Sequence, residues 1–195
     1  MTGYNALRSN KVRLFIATTF PQDVLAGVNA RIARVKSKLA AASWVRPETQ
    51  HLTFAFLGEQ PETLVDTLTP LVEKRLAGAK KFEGRLSGSG FFPNPRHARV
   101  AWVGVTPPEA FRAIADGVRA AVKDAGIALD GADFKPHLTL CRIRDVWPPA
   151  CIEAFNGALR DYESAPFTVD RVTLFSSLLN PSGAVHTPLR EMRLS

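Results

Sequence analysis

Two short segments repeat the same pair of residues, and the pair could act on a phosphate ester. A His-Leu-Thr-hydrophobic phrase stands at residues 51–54 and again at 137–140, in a chain with only four histidines. An imidazole can accept or donate a proton near neutral pH, and a threonine hydroxyl can hydrogen-bond a phosphate oxygen where charge develops. Two such pairs predict an in-line displacement at phosphorus. One imidazole would take a proton from water and the other would protonate the leaving oxygen.

Strand alternation predicts which side chains of each phrase share a face. Residues i and i+2 of a strand point the same way. The first copy should therefore divide into a polar face and a core face, with His51, Thr53 and Ala55 opposite Leu52, Phe54 and Phe56. The second should divide likewise, with His137, Thr139 and Cys141 opposite Leu138 and Leu140. One strand histidine is more often structural than catalytic, but packing gives no reason to repeat His and Thr together on a polar face.

Hydrophobic periodicity places these phrases in a regular order of elements. Apolar residues at helical spacing predict helices, and short β-branched or aromatic runs predict strands. The predicted strands are 12–18, 51–58, 82–92, 98–105, 137–144, 167–176 and one from 184, after a turn at 180–183. The predicted helices are 22–41, 61–76, 107–126 and 149–159.

This order predicts an α+β, bilobal, duplicated fold, because each half runs strand, helix, His-x-Thr strand. Neighbouring strands at 82–105 and 167–190 favour two mainly antiparallel sheets with flanking helices around a central cleft. No Pro/Gly/Ser linker separates the halves. We therefore expect residues 1–195 to be one domain of two pseudo-symmetric lobes.

Composition narrows the class of protein. The 195 residues have a formal net charge of +7 and 46% hydrophobic residues, which is typical of a globular chain with an anionic partner. Carboxylate clusters that would hold a metal are absent from the sequence, so we expect neither metal nor cofactor. Two cysteines without metal spacing predict buried thiols in a reducing compartment. With no signal-peptide core or long apolar run, we expect a cytoplasmic protein without a membrane partner.

The sequence resembles the two-histidine (2H) phosphoesterase superfamily, and within it the bacterial and archaeal RNA 2′,3′-cyclic phosphodiesterases, also named 2′-5′ RNA ligases. The resemblance covers nearly the whole chain. It is carried by RLFIA at 13–17, WVRPETQHLTFAFLGE at 44–59, FFPNPRHARVAWVGV at 91–105, FKPHLTLCR at 134–142 and VDRVTLFSSLLNPSGAVHTPL at 169–189.

The resemblance implies a metal-independent monomer that opens the 2′,3′-cyclic phosphate at an RNA end to leave a 2′-phosphate. Fragments of tRNA or small cyclic nucleotides could be forms of this substrate. His51 would donate a proton to the departing 3′ oxygen and His137 would accept one from water, although symmetric geometry permits the reverse. Thr53 and Thr139 would hold the phosphate.

Flanking residues are weaker candidates for binding substrate. Arg142 suits a phosphate, but strict alternation points it away from His137, so it would reach the site only if the strand bends or ends. Arg46 and Lys135 each precede a proline before a motif and would line the RNA path or remain solvated. Phe15 could stack a terminal base, although its apolar surroundings favour core packing.

Two further histidines and two further functions complete the predictions. His186 stands where relatives often have Tyr. It could approach the mouth of the cleft, although a surface position is expected, and His97 is expected to be exposed. The same site could join RNA ends by a 2′-5′ linkage in the reverse direction. Alternatively, the chain could be a non-catalytic RNA-binding module, although a binder needs no matched acid and base.

Overall fold

The computed structural model describes residues 11–129, 133–181 and 183–195. Within these ranges, strands and helices alternate through most of the chain. In order they are β1 (Lys11–Thr19), α1 (Gln22–Ala33), β2 (Ala42–Trp44), β3 (His51–Pro61), α2 (Leu64–Leu76), β4 (Phe82–Phe92), β5 (Val100–Thr106), α3 (Pro108–Asp124), β6 (His137–Ile143), α4 (Pro149–Leu159), β7 (Phe167–Val169), β8 (Arg171–Asn180) and β9 (Gly183–Arg193).

The strands form two antiparallel sheets, which confirms the predicted α+β class. We call the sheet ordered β3-β1-β8-β9 sheet 1, and the sheet ordered β2-β6-β5-β4-β7 sheet 2. Each sheet contains one motif strand, β3 in sheet 1 and β6 in sheet 2. β3 pairs with β1, and β6 pairs with β5. In each pair one α-helix, α1 or α3, lies between the two strands along the chain. The duplicated motif therefore has a duplicated sheet environment.

The two sheets do not correspond to the two halves of the chain. β4 comes from the first half but pairs with β5 in sheet 2, and β8 comes from the second half but pairs with β1 in sheet 1. β2, which periodicity did not predict, adds to the edge of sheet 2 through β6. Strand exchange of this kind ties the halves together, because neither sheet can form from consecutive residues alone.

One large hydrophobic core lies between the sheets and helices. α2 and α3 pack together, and α1 packs against α4. The largest fully buried side chains of this core include Phe54 of β3, Phe111 of α3 and Phe155 of α4. The two cysteines are buried and free, as predicted. No helix within the described residues is both long and apolar enough to span a bilayer.

The first helix is shorter than predicted. It ends at Ala33 rather than at residue 41, and Lys36–Lys38 forms a separate 3-10 turn before β2. The basic residues that follow Ala33 favour this early end, since like charges three or four residues apart destabilise a helix. Arg34 and Lys38 would have stood in that relation.

The β3–α2 boundary also differs from the prediction. Gly58 was expected to end the motif strand, but β3 continues to Pro61, and α2 starts at Leu64. Gly58 has φ +71°, which glycine adopts without strain, and the strand resumes its pairing with β1 after it. Pro61 therefore closes the strand opposite Lys11 rather than opening the helix.

The predicted strand 167–176 is two strands in different sheets. β7 pairs with β4 in sheet 2, and β8 pairs with β1 and β9 in sheet 1, with Asp170 between them. Buried residues continue on both sides of the break, so periodicity alone does not reveal it. β9 begins at Gly183, next to the predicted turn, of which Ser182 lies outside the described residues.

Candidate active site

Both motif strands contain a β-bulge immediately after the threonine. In sheet 1, Ala17 pairs with Thr53 and Ile16 with Ala55, which leaves Phe54 as the extra residue. In sheet 2, Trp102 pairs with Thr139 and Ala101 with Cys141, which leaves Leu140 as the extra residue. A bulge adds one residue to one strand and re-aims the side chains that follow it. The duplication therefore extends to this backbone irregularity.

The bulges correct three predictions based on strict alternation. Ala55 and Cys141 do not continue the polar face but belong to the hydrophobic core, at 2% and 0% exposure. Phe56 does not face the core. It is 47% exposed and lies beneath the Arg13 guanidinium, whose carbon is 4.6 Å from the ring centroid. Burial raises the pKa of the Cys141 thiol to about 12, so this thiol is not a reactive group.

The one-residue change of register at the Leu140 bulge also brings Arg142 onto the face that carries His137. The cross-strand partners of His137, Thr139 and Arg142 are Gly104, Trp102 and Val100, which alternate regularly along β5. Residues paired across a sheet share a face. The alternation argument pointed Arg142 the other way, and it was wrong because Leu140 is bulged.

Each motif histidine is held by the backbone carbonyl two residues before it. The Nδ1 atom of His51 lies 2.7 Å from the Thr49 carbonyl oxygen, and that of His137 lies 2.6 Å from the Lys135 carbonyl oxygen. Because a carbonyl only accepts, Nδ1 must carry the hydrogen in both rings. The Nε2 atom of each imidazole is therefore left for the reaction.

Aromatic rings enclose His51. Its ring centroid lies 4.8 Å from that of Phe15 and 5.1 Å from that of His186. Phe15 in turn stacks on Phe175 at 5.2 Å, and these two rings with Ala17 form a small cluster separate from the main core. Burial lowers the pKa of His51 to about 4, against the opposing hydrogen bond to the Thr49 carbonyl. The nearby His186 and His137 lower it further.

His137 lies in a different aromatic setting. Its ring centroid is 4.8 Å from Phe92 and 5.9 Å from Trp102, and the Lys135 ammonium lies 4.7 Å from the Trp102 centroid. Gly90 makes room for this arrangement, since a Cβ there would overlap the indole. Burial lowers the pKa of His137, with a smaller contribution from the Lys135 charge, while the carbonyl hydrogen bond opposes both.

An open cleft of about 320 Å³ joins the two motifs. It is lined from sheet 1 by residues that include Thr53 and Phe56, and from the other side by residues that include His137, Lys135 and Phe92. A larger depression of about 450 Å³ is lined only by Asn94, Pro95, Arg96 and His97 of one turn. We take the smaller cleft as the candidate site because its lining includes a residue of each motif, Thr53 and His137.

The weaker candidates fall in different places. Lys135 lines the cleft. Arg46 bonds the Ala184 carbonyl through Nη2 at 2.9 Å and so connects the edge of sheet 2 to β9 beside the cleft. Phe15 is only 3% exposed, with rings on both sides, which confirms the favoured packing in the interior rather than stacking on a base. It supports His51 instead.

The structure overturns the expectation for His186 and confirms that for His97. His186 packs edge-on against His51, and its Nδ1 is buried without a hydrogen-bond partner among the described residues. Burial and the charge of Arg46 lower the pKa of His186. His97 lies exposed in the Pro95–His97 turn.

Sequence reasoning missed several residues of the cleft. Phe56, Phe92, Trp102 and Arg119 all lie at or beside it. Only Phe56 had a signal, since it lies within the first motif strand, and the unforeseen bulge hid its direction. The others come from α3, β4 and β5, so no spacing in the sequence links them to a motif. The described residues contain no group of three or more His, Cys, Asp or Glu suited to a metal ion.

The chain belongs to the 2′-5′ RNA ligase superfamily, whose family model matches residues 21–180. It is 31% identical over 188 residues to an RNA 2′,3′-cyclic phosphodiesterase of Methanothermobacter thermautotrophicus, covering 94% of this chain and all of that one. A second such phosphodiesterase, from Thermus thermophilus, is 31% identical over 191 residues and is matched over 94% of this chain and 90% of its own length.

Solved structures share the fold. A crystal structure of a Thermus thermophilus protein superposes with a TM-score of 0.76 at 30% identity, covering 93% of this chain and 97% of that one. E. coli LigT, solved in complex with 3′-AMP, superposes with a TM-score of 0.74 at 23% identity, covering 95% of this chain and 99% of its own. At that identity the second likeness concerns the fold alone.

Proposed function

We propose that this protein hydrolyses the 2′,3′-cyclic phosphate at RNA ends to a 2′-phosphate without a metal ion. The observation that carries the proposal is the matched pair of imidazoles, both held in the Nδ1–H tautomer. They are close enough for the charge of His137 to lower the pKa of His51, and His137 and Thr53 line a common cleft. The activity named for the relatives at 31% identity supports the same substrate. One chain supplies both histidines, so a monomer suffices for a complete site.

In this mechanism, the two Nε2 atoms divide the proton transfers. His137 accepts a proton from water as the water oxygen attacks phosphorus. The bond from phosphorus to the 3′ oxygen breaks, and His51 gives its Nε2 proton to that oxygen. The 2′ oxygen keeps the phosphate, so the products are a 2′-phosphate and a 3′-hydroxyl. A matched acid and base of this kind contribute about 10²–10⁴-fold each.

The threonines and nearby cations would bind the phosphate. Thr53 and Thr139 lie two residues beyond the histidines on the same face, so their hydroxyls suit the non-bridging oxygens. Arg142 shares that face in sheet 2, and Lys135 lines the cleft. Phe56 offers an exposed ring on which a base can stack.

The proton of the general acid depends on the substrate. Burial lowers the pKa of His51 to about 4, so this imidazole is neutral at pH 7 in the free protein, and burial also lowers the pKa of His137. A cyclic phosphodiester brings one negative charge into the cleft. An anion beside an imidazole raises its pKa. We infer that the acid acquires its proton as the substrate binds.

Product analysis tests this proposal. The purified protein, treated with EDTA, is incubated with a nucleoside 2′,3′-cyclic phosphate and with a cyclic-phosphate-ended oligoribonucleotide. We expect the 2′-phosphate, identified by ³¹P NMR and chromatography, at an unchanged rate. A 3′-phosphate product or full dependence on added metal would contradict the mechanism. Mixing cyclic-ended and 5′-hydroxyl RNAs detects a 2′-5′ linked product if the reverse reaction operates.

A further inference from the structure

The cleft face of sheet 2 continues past the catalytic pair to a second arginine. Arg142 lies on the face of His137 and Thr139, as its pairing with Val100 shows. On its other side, Arg142 pairs with Ser43 of the edge strand β2, so the Ser43 hydroxyl is on that face too. The Nε atom of Arg144 donates a hydrogen bond of 2.8 Å to this hydroxyl. Arg144 is thereby turned toward the same edge of the sheet.

Neither guanidinium is neutralised within the described part of the chain. Both arginines are exposed, and no carboxylate there forms an ion pair with either, Asp145 included, although it follows Arg144 directly. The Cα atoms of Arg142 and Arg144 lie about 7 Å apart, because each residue of extended chain adds about 3.3 Å. The edge therefore offers a first cation near the catalytic threonine and a second one farther out.

Arg46 marks the other end of this edge. Two of its contacts limit its freedom, the hydrogen bond to the Ala184 carbonyl and a 3.6 Å ion pair with Glu48. Beyond it, His186 of β9 lies against His51. Arg144 is therefore the cation of this edge that is both oriented by a neutral hydroxyl and free of a carboxylate.

We propose that Ser43 and Arg144 form a binding site for a backbone phosphate upstream of the cyclic end. The proposal rests on the proposed function, since the cyclic phosphate must occupy the cleft between the histidines. An oriented guanidinium binds a phosphate oxygen by a charge-assisted hydrogen bond, and such contacts set the position of a nucleic acid strand. The chain would then favour a cyclic-ended RNA strand over a cyclic mononucleotide.

Kinetics with two substrates of different length test the site. Wild type and Arg144→Ala are compared on a nucleoside 2′,3′-cyclic phosphate and on a cyclic-ended hexaribonucleotide. We expect the mononucleotide kcat/KM to stay within about 2-fold, and the hexamer KM to rise about 3- to 10-fold, as for the loss of one phosphate contact. The slope of log K for the hexamer against log salt should become shallower by about 0.7.

Two other variants separate this site from general charge effects. Arg34→Ala removes one positive charge from the C-terminal end of α1, which belongs to neither sheet, and should leave the kinetics on both substrates unchanged. Ser43→Ala keeps the Arg144 charge but removes its tether, so the hexamer KM should rise less than for Arg144→Ala. An equal rise of the hexamer KM in Arg34→Ala and Arg144→Ala would show that the overall positive charge, rather than a specific site, binds the RNA, and would overturn the proposal.

Binding separates this proposal from the proposed function. Fluorescence anisotropy measures affinity for the labelled hexamer whether or not it is cleaved. If wild type hydrolyses neither substrate, the proposed function fails, while a selective loss of hexamer affinity in Arg144→Ala still supports the subsite. Equal changes on both substrates, or none on either, overturn the subsite even when hydrolysis is confirmed.

Discussion

The two histidine sites share one backbone design but differ in what surrounds the imidazole. In both, a carbonyl two residues upstream holds Nδ1, and a bulge follows the threonine. His51 lies among Phe15, Phe175 and a third histidine, whereas His137 lies against Phe92 and a tryptophan. The backbone therefore sets the direction of each ring, and the neighbouring side chains set how easily it takes a proton.

This difference makes the pKa of His51 more sensitive to its neighbouring side chains than the pKa of His137. Burial is the largest cause of the lowered pKa at both histidines, but a second titratable imidazole touches only His51. Charge on His186 would oppose charge on His51. At His137, by contrast, the nearby charge that lowers the pKa belongs to Lys135. The two sites should therefore respond differently to pH and to changes in their neighbours.

The largest expected effect is the loss of either imidazole. His51→Ala and His137→Ala should each reduce kcat on a nucleoside 2′,3′-cyclic phosphate by about 10²–10⁴-fold, since each removes a general acid or base. The pH profile of the residual activity assigns the roles. Loss of the alkaline limb identifies the acid, and loss of the acidic limb identifies the base. A variant with wild-type turnover would remove that histidine from the pair.

Removal of the threonine hydroxyls is expected to have the next largest effect. Thr53→Val and Thr139→Val each delete one hydrogen bond to the transition-state phosphate and should lower kcat by about 10²-fold. Thr106→Val, at the exposed end of β5, is the matched control and should retain full activity. If the two threonines contribute equally, Thr53→Val and Thr139→Val should lower kcat by similar factors. An effect in KM alone would assign the hydroxyls to ground-state binding.

A smaller effect should follow from replacing His186. His186→Phe keeps an aromatic ring against Phe15 and His51 but removes the neighbouring titratable group. The pKa of His51 should rise, because the charge of His186 lowers it, and the limb of the kcat/KM profile that belongs to His51 should move to higher pH. If the alkaline limb moves, His51 is the general acid. If the acidic limb moves, His51 is the general base.

The control for this experiment is His97→Phe. It removes an exposed histidine of the Pro95–His97 turn and should leave both limbs in place. NMR titration of the His51 ring in the free protein gives the same comparison without catalysis. An unchanged His51 titration in His186→Phe would show that the edge-on contact carries no electrostatic coupling.

The smallest effect concerns stability. A histidine with a lowered pKa in the folded state binds fewer protons there than in the unfolded chain. Stability should therefore fall as the pH is lowered from about 6.5 toward 4, the interval between the ordinary pKa and that of His51. Thermal unfolding at pH 7, 6 and 5 measures this slope, and His51→Gln should reduce it. An equal slope in that variant would assign the effect to other groups.

Most elements were predictable because their signals are local. The strand at 82–92 and the helix at 149–159 agree with the structure to the residue, since turn formers and prolines bound them. The failures lie where distant pairing decides. β2 is a strand only because β6 is beside it, and the segment 167–176 divides because its ends belong to different sheets. Periodicity contains no information on which partner a strand will find.

The sequence alone determined that two His-x-Thr pairs would stand on the polar faces of two strands, because alternation follows from local backbone geometry. Tertiary structure decided what surrounds them. Phe56 lines the cleft, and Arg142 shares the face of His137, because each motif strand has a bulge after its threonine in its pairing with β1 or β5. His186 contacts His51 because β8 and β9 join sheet 1. Register and sheet order depend on contacts between distant segments, which only the folded chain brings together.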